Sequence, residues 1–478
     1  MAGRFLSLFG PLSRFLPEVN SPTRKVGFNE KLFWTAIALI IYLIMGRISL
    51  FNIASAGMDY STLQIIFASN QGTLTALGIG PIVTGGLILQ LLIGASIVTA
   101  DLSNPDDRAL FTAAAKVFSI ALTGVQASAY LLSGMYGSLD LVTSVMVFAQ
   151  LLCAGVVLIL LDEMLQKGWG IGSGISLFIM AGVAQTIMWS SFCPLGPMAD
   201  GKHHGAFIAL AQTILNGEPL TNAFFRYGTT EEGVRFLTNE PTMMGFITTV
   251  IVFIIVIYME GVRVELPISH ANYRGFRGKY PIKLLYVSNL PVIFASALFA
   301  NVYVFAQLLT SHFGSDNFWV NLLGTFGGES GTTLTGGLAY YVTSPNSFAE
   351  VLADPVRALV FVGVMVAFSV IFSLTWLEVG GLGPSTVAKQ LVDSGMQVPG
   401  FRRSGRSIEL ILKRYIPVVT VLGGAIIGLI ASVAGFFGVF GTGMGVLLAV
   451  GILYQYYQLL VQEQVSEMYP ALGRVLGG

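Results

Sequence analysis

The sequence contains little charge, almost no cysteine and little histidine. Only 10% of its 478 residues are charged, against roughly one quarter in an ordinary soluble domain. The 25 basic residues balance the 25 acidic ones, so the net charge of the chain does not indicate binding to nucleic acid. Two cysteines, Cys153 and Cys193, lie in or beside apolar segments. They are too few for a disulfide framework and lack metal-ligand spacing, so we interpret them as packing residues and expect no metal site.

Long apolar runs fill the rest of the chain, which is 54% hydrophobic. Because a bilayer offers no hydrogen bonds to the backbone, apolar runs of about twenty residues must form helices. Windows of that length give ten spans, at 32–46, 73–98, 109–133, 139–161, 173–193, 242–259, 286–311, 356–377, 416–433 and 438–461. The predicted fold class is an all-α integral membrane protein with ten transmembrane helices.

Basic residues predict the orientation of these spans. They cluster in three segments, the N-terminal tail and the loops 260–285 and 378–415: Arg4, Arg14, Arg24, Lys25, Lys31; Arg263, Arg274, Arg277, Lys279, Lys283; Lys389, Arg402, Arg403, Arg406, Lys413 and Arg414. The loop 311–354 has acidic residues but no Lys or Arg. By the positive-inside rule the three basic segments lie in the cytosol, and an even number of spans places both termini there.

The spans divide the chain into two halves. We expect a cytosolic amphipathic segment at 1–30 that lies on the membrane surface and is not a cleaved leader. Spans one to five fill 31–195, an extracytoplasmic loop follows at 196–240, spans six to ten fill 241–463, and 464–478 forms a cytosolic tail. Five spans in each half run in opposite directions, so any internal repeat is an inverted one.

The second span is interrupted by glycine and proline. Gly78, Gly80 and Pro81 break its apolar run, and the moderately polar stretch 59–69 before it is too short to cross a membrane. Irregular backbone at membrane depth is tolerated only where it is buried in protein or lines a cavity, so this region is expected to face a pore or pocket. A simple extracytoplasmic loop followed by a kinked helix is the alternative.

Chemistry-bearing side chains are missing from the span interiors. No predicted span carries an acidic residue in its interior, Lys116 lies near the start of span three, and no histidine falls in mid-span. A secondary transporter needs an ionisable relay near the midplane, and an intramembrane enzyme needs a nucleophile with its base. Both remain as alternatives, but the sequence favours a passive conduit. The run GIGSG at 170–174 has no following lysine, so we interpret it as the close-packed start of a helix and not as a phosphate loop.

Several motifs resemble those of one family. They are GIGPIVTGGLILQLL at 78–92, GIGSGISLFI at 170–179, ELPISHANYRGFRGKYPIKLLYVSNLPVI at 265–293, KRYIP at 413–417 and GVLLAVGILYQYY at 445–457. In collinear order over nearly the whole chain they resemble the SecY family, the large subunit of the protein-conducting channel, and more closely its archaeal and eukaryotic branch. The resemblance implies two inverted five-helix halves around an hourglass pore that passes unfolded polypeptide, without catalysis or cofactor.

The resemblance also implies roles for individual residues. A ring of apolar side chains would close the pore at its waist: Ile79, Val83, Ile175, Ile179, Ile293 and Leu448. A plug would lie at about 59–69. Spans two and seven would form a lateral gate with a polar cluster, Thr84, Gln90 and Asn301, and the basic loops would dock the ribosome through Arg274 and Arg402. The alternatives are ordinary bundle packing for the ring, generic interhelical hydrogen bonds for the cluster, and simple orientation signals for the loops.

Partners follow from the same resemblance. It implies two small subunits of the SecE (gamma) and beta types, the ribosome, signal sequences, nascent polypeptides and membrane lipid. Because the chain has no nucleotide-binding motif, the energy for transport is expected to come from outside. The expected location is the cell membrane, with the endoplasmic reticulum membrane as the alternative.

Overall fold

The computed structural model describes most of the chain. The described residues are 11, 16–53, 72–94, 98, 105–132, 136, 139–198, 200–229, 235–238, 240–270, 277–287, 290–313, 317–327, 333–345, 347–394, 396–397 and 405–468. The expected plug at 59–69, Arg274 and Arg402 lie outside these residues.

The first half contains five apolar helices. They are α1 (Phe28–Met45), α2 (Gly80–Gly94), α3 (Pro105–Leu132), α4 (Leu141–Met164) and α5 (Gly174–Phe192), with a π-helical turn at Leu165–Trp169 between the last two. The connection to the second half contains α6 (Ala206–Leu215), α7 (Thr221–Phe224) and the antiparallel strands β1 (Tyr227–Thr229) and β2 (Arg235–Leu237).

The second half contains five further long helices. They are α8 (Met243–Gly261), α9 (Leu290–Phe313), α13 (Pro355–Val379), α15 (Gly405–Phe436) and α16 (Gly443–Met468). Between α8 and α9 lie the hairpin strands β3 (Arg263–His270) and β4 (Arg277–Lys283), and we call the side of the membrane that holds them the hairpin side. The connection from α9 to α13 contains α10 (Phe318–Leu323), β5 (Thr325–Gly327), β6 (Thr333–Gly336), α11 (Leu338–Val342) and α12 (Phe348–Ala353). The connection from α13 to α15 contains α14 (Pro384–Asp393) and β7 (Met396–Gln397).

The predicted ten-helix architecture is confirmed, with one helix shorter than expected. Nine helices among the described residues are long and apolar enough to cross a membrane, and α2 is the shorter tenth. The apolar window 73–98 is longer than the helix: residues 73–79 form turns, as expected from the interruption by glycine and proline, and among the described residues of the window the helix is Gly80–Gly94. Fifteen residues give about 22 Å of helix, less than the roughly 30 Å of hydrocarbon. The turns before α2 therefore lie at membrane depth and are buried in protein.

The end of α4 also differs from the prediction. The sequence window ended at 161, whereas the helix continues to Met164 and carries the buried Asp162 and the ion-paired Glu163. Both acidic residues lie in the last turn of the helix, outside the interior of the span. Lys116 of α3 donates to Glu163 at 2.7 Å and to the backbone oxygen of Pro17 at 2.6 Å. These bonds fasten the N-terminal segment to the hairpin-side end of α4.

The loop between the two halves folds around a buried arginine. Arg226 is 1% exposed, and its guanidinium donates to both oxygens of Asp200 at 2.6 and 2.8 Å. Its remaining N–H groups donate to the backbone oxygens of His203, His204 and Pro241. Because every charged atom has a partner, this ion pair holds the loop as a defined unit.

Candidate pore and lateral gate

Apolar side chains from both halves form one large cluster that extends through the helix bundle. Ile79, Ile179 and Leu448 are buried in this cluster, and Val83, Ile175 and Ile293 are partly buried against it. Ile79 directly precedes α2, and the other five lie in the first two turns of α2, α5, α9 and α16. All six residues that the sequence analysis assigned to the ring belong to or pack against this cluster, which also contains many other residues of the bundle, and their role as a ring stays a prediction. A cluster of branched apolar side chains at the junction of two halves can exclude water and ions.

The turn before α2 places Ile79 in this cluster. Gly78 has a φ of 53°, a conformation that glycine adopts without strain. The preceding segment is anchored by a β-bridge between Ser49 and Thr73 and by a bond from the amide of Leu50 to the backbone oxygen of Gly72. The glycines that interrupt the second span thus let the chain turn sharply into α2 beside the pore axis.

The start of α5, which carries Ile175, is held by the carboxylate of Asp162. This carboxylate accepts hydrogen bonds from the Ile175 amide at 3.1 Å, from the Ser173 hydroxyl at 3.2 Å and from Gln166 at 2.7 Å. It satisfies donors that the first turn of a helix leaves unpaired. A Cβ at Gly174 would lie 2.7 Å from the Asp162 Cα, so the glycine is needed for this contact. The packing interpretation of the run GIGSG is consistent with this geometry.

A second contact ties the start of α5 to the last helix. The Tyr456 hydroxyl of α16 donates to the backbone oxygen of Ser173 at 2.7 Å. The ring packs on Gly172, whose φ is 73° and where a Cβ would lie 2.9 Å from the ring. This contact joins the first half to the second on the hairpin side.

The two helices expected to form a lateral gate, α2 and α9, are in contact, and α13 packs against both. Leu87 and Gln90 of α2, Phe294 of α9 and Trp376 of α13 line a small cavity of about 10 Å³ between the three helices. Such a cavity holds at most one water molecule. The contact between the gate helices is therefore nearly dry and mostly apolar.

Of the three polar side chains expected at the gate, Asn301 bonds to a residue outside the expected cluster. Asn301 of α9 accepts a hydrogen bond of 3.5 Å from Gln126 of α3 and donates to the backbone oxygen of Ala297 at 2.8 Å. Thr84 Oγ1 and Gln90 Oε1 are buried and have no hydrogen-bond partner among the described residues. The sequence analysis missed Gln126, although a glutamine in the middle of an apolar span is itself a signal for an interhelical contact.

The comparison with known families identifies this arrangement. A profile of the family described as SecY matches residues 73–457. The chain belongs to the SecY family. A solved structure described as that of a protein conducting channel is 40% identical, with a TM-score of 0.80 over 96% of this chain and 98% of that one.

Two further solved relatives of this SecY-family chain are similar over the same extent. One, described by the plug domain that stabilises the closed state of SecY, is 39% identical with a TM-score of 0.78, over 96% of this chain and 98% of that one. The other, Sec61 in the canine ribosome-channel complex from the endoplasmic reticulum, is 39% identical with a TM-score of 0.77 and the same coverage. The expected family and fold are thus confirmed.

The two basic loops of this SecY-family chain form one platform on the hairpin side. Strand β7 of the loop after α13 pairs with β3 of the hairpin, with His270 opposite Met396 and Ser269 opposite Gln397. A separate apolar core lies beneath the platform, made by Ile282, Leu377, Val387, Ala388, Ile408, Leu412, Ile416 and Val419. The segments 271–276 and 398–404, which carry Arg274 and Arg402, thus both follow strand ends of a single sheet.

Proposed function

We propose that this chain forms the pore of a protein-conducting channel, which passes unfolded polypeptide across a membrane and releases apolar segments sideways into lipid. The observation that carries this proposal is the match to the SecY family over residues 73–457, and the six branched apolar side chains of the expected ring all belong to or pack against one apolar cluster formed by both halves. The relatives, one described as a protein conducting channel and one as part of a ribosome-channel complex, support the same function.

The apolar cluster would act as the pore ring. A narrow apolar constriction loses water when it is empty, which blocks ions without a charged barrier. Branched side chains of this kind make no directional bonds, so they can separate around a chain of any sequence and close behind it. The ring would thus block ions in the resting channel and still let polypeptides of any sequence pass. We further propose that 59–69 forms the plug on the side opposite the hairpin.

The contact between α2 and α9 would act as the lateral gate. An interhelical hydrogen bond in a membrane contributes only about 0.6 kcal/mol on average, and the Gln126–Asn301 bond is long at 3.5 Å. A gate that is held mainly by apolar contact can open without a large free-energy barrier, because lipid or an apolar substrate segment replaces the same contacts. Thr84 Oγ1 and Gln90 Oε1, which have no hydrogen-bond partner among the described residues, would then find partners in the open state.

The platform of β3, β4 and β7 would dock the ribosome. Arg274 and Arg402 suit the phosphates of ribosomal RNA, which Lys and Arg contact with strong salt dependence. The driving force would come from elongation by the ribosome or from an external motor, because the chain carries no nucleotide-binding motif. In this proposal the protein is a non-enzymatic pore that needs no cofactor.

The remaining partners and the orientation are part of the proposal. The hairpin side carries three basic segments and is therefore the cytosolic side, with both termini on it. Small subunits of the SecE (gamma) and beta types complete the complex, and signal sequences and nascent polypeptides are its substrates. The membrane is a cell membrane, with the endoplasmic reticulum as the alternative.

A conductance measurement tests the ring. Replacing Ile79, Ile175 and Leu448 together with serine makes the waist polar, so it stays hydrated and the resting ion leak in planar bilayers rises severalfold. The matched control replaces Leu89, Val183 and Val450 with serine, three buried apolar residues on the same helices that are not in the ring. If the serine substitutions act only by destabilising the packing, the ion leak rises equally in both variants. That result would overturn the proposal that the six residues form a pore ring.

A further inference from the structure

The short helix α10 exposes large apolar side chains although it is firmly held. Phe318, Trp319 and Leu322 are 70%, 69% and 54% exposed. The Asn317 side chain caps the helix by accepting from the Trp319 amide at 3.2 Å, and Val320 is buried beneath it. The exposed face is therefore a fixed surface of the folded molecule, and such a surface on a protein usually has a partner.

The position of α10 along α9 gives its depth in the membrane. Gly324, the residue after α10, packs on Ala306, where a Cβ on the glycine would lie 3.1 Å from the alanine Cβ. The Thr310 hydroxyl donates to the Gly324 backbone oxygen at 3.2 Å. These residues occupy the last two turns of α9, which ends at Phe313 and whose apolar span runs from Leu290 to Thr310. The α10 helix thus lies at the level where the span passes from hydrocarbon to headgroups.

The long helix α9, which α10 contacts, also exposes large apolar side chains. On α9 the side chains of Phe305 and Phe313 are exposed, and on the neighbouring α13 those of Val356 and Leu359 are exposed. In a membrane protein these outward apolar side chains lie against acyl chains. No Lys or Arg occurs between 311 and 354, so this region offers no cation for a partner with an acidic surface. Aromatic rings at the end of a span are typical of the membrane interface.

We propose that α10 is an interfacial membrane anchor. Phe318, Trp319 and Leu322 insert into the boundary between headgroups and acyl chains of the leaflet opposite the hairpin side. The partner is the lipid surface itself, bound by apolar area and by the amphipathic tryptophan ring. Because α10 is bonded to the last turns of α9, the anchor fixes the depth of that end of the gate helix. The anchor does not depend on the proposed transport function.

Site-directed spin labelling tests the anchor. A nitroxide is attached at Leu322→Cys in a Cys153→Ala background, and the purified complex is placed in phosphatidylcholine liposomes. Collisions with oxygen, which concentrates in lipid, are compared with collisions with a water-soluble nickel chelate. Labels at Leu359→Cys and Lys279→Cys are the references for lipid and water, since the first residue lies on a lipid-facing helix and the second is an exposed lysine of the hairpin. The background without an added cysteine reports any labelling of the buried Cys193.

The expected oxygen-to-nickel ratio at Leu322→Cys is severalfold above that at Lys279→Cys and close to that at Leu359→Cys. A ratio equal to the Lys279→Cys reference means that α10 lies in water, which overturns the proposal. Low collision rates with both reagents mean that a protein covers the face, which also overturns it. Quenching of tryptophan fluorescence by lipids brominated near the headgroup gives a second readout, in which Trp319→Phe removes part of the quenched signal.

Discussion

At the scale of single residues, Arg226 shows how a charge is kept inside this apolar protein. All of its partners lie in the loop between the halves, and none is on a long helix. Removing one member of a buried ion pair leaves an uncompensated charge and typically costs about 3–5 kcal/mol, whereas replacing both by apolar residues costs much less. The loss of stability caused by removing one member of the pair should therefore occur in the loop and not in the helix bundle.

We therefore predict that Arg226→Met destabilises the loop by about 3–5 kcal/mol, because Asp200 is left buried without its cation. Limited proteolysis within 196–240 measures the effect as a large increase in cleavage rate. The double variant Asp200→Leu with Arg226→Met should recover part of the resistance. If Arg226→Met is as resistant to proteolysis as the parent protein, the ion pair does not hold the loop.

The same pair predicts a pH dependence. Burial alone would raise the pKa of Asp200, but the hydrogen bonds and the charge of Arg226 bring that pKa below its ordinary value. A carboxyl whose pKa is lowered by folding stabilises fully above its unfolded value of about 4, and that contribution is lost as the pH falls through the folded pKa. Protease resistance of the loop should be flat from neutral pH to about pH 5 and should fall in more acidic buffer. In Asp200→Asn the acid-dependent loss should be smaller, and the remainder comes from Glu218, whose pKa is also lowered by the hydrogen bond from Lys202.

At the scale of helices, two adjacent glycines of α2 face different surroundings. A Cβ at Gly85 would lie 2.9 Å from the Ser119 hydroxyl and 3.0 Å from its backbone nitrogen, so α3 would have to move. A Cβ at Gly86 meets nothing within 4 Å. The pair therefore separates the effect of close packing from the effect of helix propensity on the same helix.

We predict that Gly85→Ala destabilises the protein by about 1–3 kcal/mol through overpacking against α3, while Gly86→Ala is neutral or stabilises it by up to about 1 kcal/mol. Thermal unfolding in detergent measures both variants under identical conditions. Equal shifts of the melting temperature in the two variants would contradict the close approach of α2 to α3.

The helices also show what the sequence could and could not predict. The fifth span was predicted at 173–193 and forms the helix Gly174–Phe192, because hydropathy and helix coincide there. Hydropathy does not report backbone geometry, so the apolar window 73–98 did not show where α2 begins, and only its glycines and proline indicated irregular backbone there. It also underestimates a helix whose acidic residue is hydrogen-bonded, as Asp162 is. The pairing of β3 with β7 joins residues that are more than a hundred positions apart, which no local pattern reveals. The six ring residues were predicted from the family motifs; in the structure they belong to or pack against the large apolar cluster of the bundle, and their role as a ring stays a prediction.

At the scale of the whole molecule, the two halves are joined differently on opposite sides. On one side α16 of the second half packs along α5 of the first, the Tyr456 hydroxyl donates to the start of α5, and Lys31 of α1 pairs with Glu463 at 2.6 Å. On the other side α2 meets α9 and α13 through apolar side chains around a small cavity. The first side is suited to act as a hinge and the second to open, because apolar contacts are replaced by lipid without loss of hydrogen bonds.

We predict that a covalent bridge across the second side blocks lateral release. Leu87→Cys and Phe294→Cys, introduced into the Cys153→Ala background, place thiols on both gate helices beside the same cavity. After treatment with a short reducible bifunctional reagent, transfer of an apolar substrate segment into liposome lipid should fall severalfold and return after reduction, because α2 and α9 can no longer separate. The control bridge joins Ser173→Cys to Tyr456→Cys across the hinge side, where the halves stay in contact, so transfer by that variant should be equal before and after bridging. Unimpaired transfer through the bridged gate would mean that apolar segments leave the pore by another route.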